Sequence, residues 1–202
     1  MTSWMTGESD PWPEDGEIDI LEQVNDNTET LMSLHTNVSC TLVSSSTPGV
    51  NKSEDCYYMT NNYQGCGIGI PNTQSFGAGF NNNGGGVYAV EWTSQAISIW
   101  FFPRNNIPLG VLAGTPDPST WGVPAGYFHG DCSIDQNFRN HKIIFNTAFC
   151  GAWAANAWTP TCAKKSSSCN DYVANNPTAF VDAYWQINSL RVFDNNNDPT
   201  IS

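Results

Sequence analysis

Glu17, Asp19 and Glu22 are the residues of this chain whose types and spacing could carry out acid–base chemistry. They form E-x-D-x-x-E inside Gly16-Glu17-Ile18-Asp19-Ile20-Leu21-Glu22, a run that is otherwise apolar. Three like charges gathered on one face repel, so at least one carboxyl is pushed to a higher pKa, and partial burial pushes it further. A carboxylic acid beside a carboxylate, with their pKa values held apart, is the pair that cleaves a glycosidic bond. A retaining mechanism places the two carboxyls about 5–5.5 Å apart. Along a regular strand the backbones of Glu17 and Glu22 would stand roughly 16 Å apart, so local distortion and leaning side chains must close the gap.

The element that must position them is a short strand. Ile18, Ile20 and Leu21 fit a half-buried strand better than a helix, and Gly16 and Asn25 to Asn27 mark its ends. Strict alternation turns Glu17, Asp19 and Leu21 one way and Glu22 the other. A one-residue bulge between Asp19 and Glu22 resets that alternation and brings all three acids to one face. Thr28 to Thr36 reads as the partner strand, with Met32, Leu34 and Thr36 on one side and Leu31, Ser33 and His35 on the other. Spacing taken alone is equally the pattern of an acidic, solvent-facing edge strand, and His35 taken alone that of a structural or surface histidine.

The wider residues favour the site. Gly16 to Asn25, GEIDILEQVN, followed by Leu34-His35-Thr36, resembles the catalytic strand of glycoside hydrolase family 16, in its fungal laminarinase-type endo-β-1,3(4)-glucanase branch. The resemblance continues through Asn83-Gly84-Gly85-Gly86, the run WFFPR from Trp100 to Arg104, FCGAW from Phe149 to Trp153, and Ala183 to Phe193. It implies that Glu17 is the nucleophile, Glu22 the acid/base, Asp19 an assisting carboxylate and His35 a histidine beside the cleft. Trp12 takes the place of an aromatic that stacks on sugar rings. Trp153 and Trp158, in a loop after a candidate strand, are candidates for the same task, with core packing as the alternative. The E-x-D-x-x-E spacing matches the bulged branch of the family rather than the shorter-spaced lichenase branch.

The fold this implies is all-β: an antiparallel β-sandwich of the jelly-roll, concanavalin A-like lectin/glucanase type, with a β-glucan chain on its concave face. The activity implied is endo-hydrolysis of β-1,3- or mixed β-1,3/1,4-glucan with retention. The alternatives are a non-catalytic glucan-binding lectin-like module, which would not need both Glu17 and Glu22, and a transglycosylase that differs only in its acceptor. Residues 1–194 read as a single domain and 195–202 as a frayed polar tail. The family carries several strands ahead of its catalytic one, so the chain is expected to be truncated at its N-terminus, missing the signal peptide as well. Met1 to Asp10 has neither a basic start nor an apolar core.

Bulk properties narrow the partners. The chain has 202 residues, 7 Lys and Arg against 19 Asp and Glu, and a formal net charge of −12. That field repels nucleic acid and anionic membrane, and no apolar run approaches the roughly 18 residues of a membrane helix. The expected partner is β-glucan, bound by a monomer. No cofactor is implied: Gly84 to Gly86 has no following Lys or Ser to cradle phosphate, and His35, His129 and His141 are scattered without metal-ligand spacing. Seven cysteines and the sequons Asn37-Val38-Ser39 and Asn51-Lys52-Ser53 suit a secreted, extracellular or cell-wall protein. Cys56 with Cys66, and Cys162 with Cys169, are close enough to close small loops, although connectivity stays open and the odd count leaves one thiol over.

Along the rest of the chain, Val38 to Gly86 reads as a long loop that borders the cleft in the family. Val87 to Trp92 and Ala96 to Phe102 form the clearest hairpin, turning at Thr93 to Gln95. Trp92, Trp100, Phe101 and Phe102 read as core, and Trp121 and Tyr127 as exposed aromatics in a Pro/Gly-rich crossover. Lys142 to Phe149 and Trp185 to Phe193 read as strands, the latter closing the fold, with helical turns at Cys169 to Ala174 and Ala179 to Tyr184.

Overall fold

The computed structural model describes residues 1–43 and 49–194, so the tail expected to fray lies outside the described residues. Strands β1 (Thr2–Gly7), β2 (Glu17–Glu22), β3 (Thr30–His35), β5 (Val50–Ser53), β6 (Cys66–Ile70) and β10 (His141–Asn146) form one antiparallel sheet in the order β10-β1-β2-β3-β6-β5. Strands β4 (Leu42–Val43), β7 (Gly86–Trp92), β8 (Ala96–Pro103) and β9 (Gly126–Gly130) form the second, ordered β4-β9-β8-β7. Six short α-helices, with four 3₁₀ turns, lie in the connections among the described residues: α1 (Gly77–Asn82), α2 (Leu109–Ala113), α3 (Ile134–Asn137), α4 (Ala152–Asn156), α5 (Pro160–Ala163) and α6 (Cys169–Asn175). No described helix is long and apolar enough to cross a membrane.

Alternation on the strands builds the core between the two sheets. Ile18 and Ile20 of β2, Met32 and Leu34 of β3, and Ile68 and Ile70 of β6 meet Leu42, Ile97, Ile99 and Phe128 of the second sheet. Ile134 and Phe138 close one end. Trp100 and Phe102 are buried but do not join that cluster; they are covered by Trp121, whose ring meets theirs edge-on at 5.2 and 5.5 Å. The hairpin β7–β8 forms where expected, and its register sets Trp92 opposite Ile97 and Val87 opposite Phe102.

Four features depart from the sequence reading. The stretch before the acidic segment, which carries no strong strand signal, forms β1 and sits between β2 and β10. The supposed loop from Val38 to Gly86 contains β4, β5, β6 and α1, and β6 is buried throughout beside β3. Its alternating sequence, Cys66-Gly67-Ile68-Gly69-Ile70, hides a strand because glycine is depleted from strands. The strand candidate at Lys142 to Phe149 lies instead at His141–Asn146. Trp185 to Phe193 is not a strand. It meets the body through isolated contacts, Trp185 Nε1 donating to Asn146 O (3.1 Å) with its ring edge-on to Phe145 (5.5 Å), and Arg191 Nη1 donating to Val111 O (3.3 Å), with no ladder to a neighbouring backbone. β-propensity without a partner edge makes no sheet.

The disulfides give the connectivity that the sequence left open. Cys56–Cys66 forms as the spacing suggested, but Cys169 pairs with Cys150, and Cys162 is left as a free, buried thiol. Cys169 opens α6, which packs on α4 just beyond Cys150, whereas Cys162 is turned inward on α5. Cys40–Cys132 ties the chain before β4 to the chain after β9, a link 92 residues apart in sequence.

Candidate active site

The bulge lies where the acids require it. On the β1 side, Ser3 pairs with Leu21 and Trp4 with Asp19, so Ile20 has no partner. On the β3 side, Asp19 pairs with Ser33 and Glu22 with Leu31, leaving two residues of β2 opposite Met32 alone. Ile20 enters the core, and Glu22 returns to the face that carries Asp19. Glu17 pairs with His35 across the same two strands. Glu17, Asp19, Glu22, Ser33 and His35 therefore share the face of the first sheet turned away from the core. Two hollows, of about 540 Å3 and about 310 Å3, lie elsewhere and touch none of these residues.

Each acid has defined partners. Trp12 Nε1 donates to Glu17 Oε2 at 2.8 Å. His35 Nε2 lies 3.2 Å from Asp19 Oδ2 and 4.0 Å from Glu17 Oε1. Ser33 Oγ lies 2.8 Å from Asp19 Oδ2 and 3.2 Å from Glu22 Oε2. A hydroxyl carries one proton, so Ser33 satisfies both carboxyls only if one of them brings a proton of its own. Burial, then the charge of Asp19, pushes Glu22 up to about 8, against the opposing influence of His35 and Ser33. Burial likewise raises Glu17 to about 8, again with Asp19 adding to the rise, while His35 and the Trp12 hydrogen bond oppose it. Asp19 is raised by burial and eased by Ser33. Burial lowers His35, against the pull of Glu17 and Glu22, and Nε2 is the ring nitrogen that faces Asp19.

These groups therefore share too few compensating charges to be fully ionised. The contacts set where charge and proton settle. Trp12 offers Glu17 a donor, which favours its carboxylate. Among the described residues Glu22 has no donor besides Ser33, whose hydroxyl lies closer to Asp19, and this favours its acid form. One oxygen of Glu17, one of Asp19 and a ring nitrogen of His35 lie within 4.8 Å of one another, the one group of three His, Cys, Asp or Glu among the described residues close enough to hold a cation. Sequence spacing could not show this set, because His35 comes from the neighbouring strand.

The surrounding chain fixes Trp12. The β1–β2 connection carrying it, with cis bonds at Asp10–Pro11 and Trp12–Pro13, is anchored at Asp15. The buried Asp15 carboxylate accepts from Ser9 Oγ (2.5 Å) and Arg139 Nε (2.7 Å), and its backbone carbonyl accepts from Arg139 N (3.1 Å). The Ser9 hydroxyl holds the Asp15 carboxyl below its ordinary range, with Asn140 and Arg139 adding to it. Gly16, at φ +79°, must turn the chain into Glu17 where a Cβ would lie 2.3 Å from Asn137 O. Gly65, at φ +63°, leaves room for His35 in the same way, since a Cβ there would meet Nδ1 at 2.8 Å.

Of the residues singled out from sequence, Glu17, Asp19, Glu22, His35 and Trp12 come together. Trp153 is half-exposed on α4, and Trp158 donates Nε1 to Ser166 O (3.0 Å) and faces Tyr172 at 6.4 Å. No hydrogen bond or ring contact joins either tryptophan to the acids, although Asn25 Nδ2, just after β2, bonds to Ala154 O and Ala157 O at 2.8 Å. Sequence reading missed Ser33 as a functional residue; the alternation that put it beside His35 was the available signal. It also missed Asp15 with Arg139, which are remote in sequence, and Tyr58, whose ring meets that of Trp12.

An antiparallel sandwich with paired carboxyls on the outer face of one sheet defines the class of jelly-roll glycoside hydrolases. The XgeA-like catalytic GH16 domain matches residues 2–193, and the chain belongs to glycoside hydrolase family 16. It is 44% identical over 206 residues to an endo-1,3(4)-beta-glucanase of Arthroderma benhamiae, covering 98% of this chain and 44% of that relative. Among solved structures it is similar to laminarinase 16A of Phanerochaete chrysosporium, which holds 6-O-glucosyl-laminaritriose in donor and acceptor sites (40% identity, TM-score 0.84). It is similar as well to an elongating family 16 β-1,3-glucosyltransferase (40% identity, TM-score 0.82). Each of these two likenesses covers 91% of this chain and 63% of the other, so the chain spans less than two thirds of its relatives' length.

Proposed function

We propose that the chain is a retaining, endo-acting β-glucanase domain whose substrate is β-1,3- or mixed β-1,3/1,4-glucan. The observation that carries the reading is the split between the two glutamates: Glu17 with a donor at 2.8 Å, and Glu22 sharing the single proton of Ser33 with Asp19. Glu17, as carboxylate, attacks the anomeric carbon while Glu22 gives its proton to the departing glycosidic oxygen. A glycosyl ester on Glu17 results. Glu22, now a carboxylate, takes a proton from water; the water oxygen attacks the same carbon and releases Glu17. Asp19, hydrogen-bonded through Ser33 and facing His35, keeps one proton on the set and orients it.

The three disulfides support an oxidising, extracellular or cell-wall setting. Glu17→Gln should reduce reducing-sugar release from laminarin to background while the melting temperature stays within a few degrees of the parent. Activity within a few-fold of the parent refutes the assignment. A second reading, transfer of the glycosyl unit to a sugar acceptor, is favoured by the likeness to the elongating glucosyltransferase. Products longer than the starting oligosaccharide select it; shorter products alone select hydrolysis.

A further inference from the structure

One loop beside the site presents a row of aromatic rings that the acid–base chemistry does not use. Residues Cys56 to Cys66 form a loop closed by their own disulfide. Both ends are fixed to β3 next to His35. At one end Thr36 N donates to Cys56 O (2.8 Å) and Tyr58 N to Thr36 O (3.0 Å); at the other Cys66 pairs with Leu34 in the sheet. From His35 the rings run outward without a break. Trp12 lies 5.6 Å from His35, Tyr58 meets Trp12 edge-on at 5.6 Å, and Tyr63 meets Tyr58 at 5.8 Å, with Tyr57 edge-on to Tyr58 at 5.5 Å. His35 at the inner end is buried (8%), Trp12 is 39% exposed, Tyr58 is half-buried among its neighbours, and Tyr63 at the outer end is 59% exposed.

Packing does not account for Tyr63. A bulky ring that stays mostly in water adds little to the core, yet here it stands on a left-handed backbone (φ 68°), next to Asn62 at φ 55°. Trp12 bonds the nucleophile, so the row is continuous with the groove in which a glucan would lie.

We propose that Tyr58 and Tyr63 extend the sugar-binding surface beyond Trp12, taking further glucosyl units of the same β-glucan chain on their ring faces. This rests on the glucan reading above. The axial hydrogens of a β-glucosyl ring form an apolar face that packs on an aromatic ring, and its equatorial hydroxyls reach water or the tyrosine oxygen at the edge. The loop makes the protein favour long chains over short ones, because only a chain that already fills the groove reaches Tyr63.

The test is calorimetric binding of a β-1,3-linked glucotriose and a β-1,3-linked glucoheptaose to the parent, Tyr63→Ala and Tyr63→Phe, each carrying Glu17→Gln so that the sugar stays intact, with reducing-sugar release measured in parallel on the same three proteins without it. Tyr63→Ala should weaken the heptaose roughly threefold to tenfold and leave the triose within twofold. Tyr63→Phe, which keeps the ring, should bind both as the parent does, and both variants should melt with the parent because the ring is exposed. Unchanged heptaose binding in Tyr63→Ala, an equal loss on both sugars, or an equal loss in Tyr63→Phe overturns the proposal, as does a parent that binds neither sugar. A parent that binds in this length-dependent way but releases no sugar removes the hydrolase reading and leaves this one standing. A parent that hydrolyses while Tyr63→Ala binds normally does the reverse.

Discussion

Trp12 does two things at the Glu17 end of the site: its ring is partly exposed beside the acids and its indole N–H steadies the charge of Glu17, the proposed nucleophile. The second can be isolated. Trp12→Phe keeps an apolar ring but removes the donor that lowers the Glu17 pKa, so that pKa rises further above its ordinary 4.5. The nucleophile must be ionised, so the acidic limb of the kcat/KM profile should move to higher pH in Trp12→Phe. An unmoved acidic limb would show that the hydrogen bond does not govern that ionisation. Residues with a chemical motif were legible in the sequence: the spacing of the three acids raised the chemistry, and resemblance singled them out together with His35 and Trp12. Ser33 was not, because a serine on a strand is an ordinary residue until two carboxyls share its one proton. Trp153 and Trp158 show the converse, since an aromatic beside a presumed loop carries no address.

The element that matters most is β2, and its bulge makes a prediction of its own. β1 already skips Ile20, pairing Ser3 with Leu21 and Trp4 with Asp19. Deleting Ile20 should turn β2 into a regular strand in which Leu21 takes the core place of Ile20 and Glu22 stays on the outer face. The exchange of one branched aliphatic for another costs about 1 kcal/mol. The deletion variant should therefore melt cooperatively and keep laminarin hydrolysis above that of Glu17→Gln, reduced because the carboxyl spacing changes. Loss of cooperative melting would mean that the bulge is a structural necessity and not a reset of alternation. The β7–β8 hairpin was legible because both strands alternate and a three-residue turn joins them, whereas β6 was concealed by Gly67 and Gly69. Trp185 to Phe193 failed for the opposite reason. Its composition suits a strand, but pairing depends on a neighbour that local sequence does not reveal.

At the scale of the whole molecule, the site makes stability depend on pH. Glu22 holds its proton in the fold up to about 8 but gives it up near its ordinary 4.5 once unfolded. Between those values the folded state binds more protons, so this contribution to stability is complete below 4.5 and is lost as pH rises through about 8. Glutamine does not ionise and escapes the loss. The melting temperature of Glu22→Gln, relative to the parent, should therefore climb from pH 5 to pH 8; a constant or shrinking difference contradicts the buried, protonated Glu22. The sandwich itself was legible from composition, alternation and resemblance. The disulfide between Cys40 and Cys132 was not, because 92 residues separate the partners and only the docking of β4 on β9 brings them together. The account depends above all on which carboxyl becomes bonded to sugar. Reaction with a 2-fluoro-β-glucosyl oligosaccharide fluoride, followed by peptide mass mapping, should place the glycosyl group on Glu17 alone. Label on Glu22 or Asp19, or turnover without any covalent adduct, would contradict it.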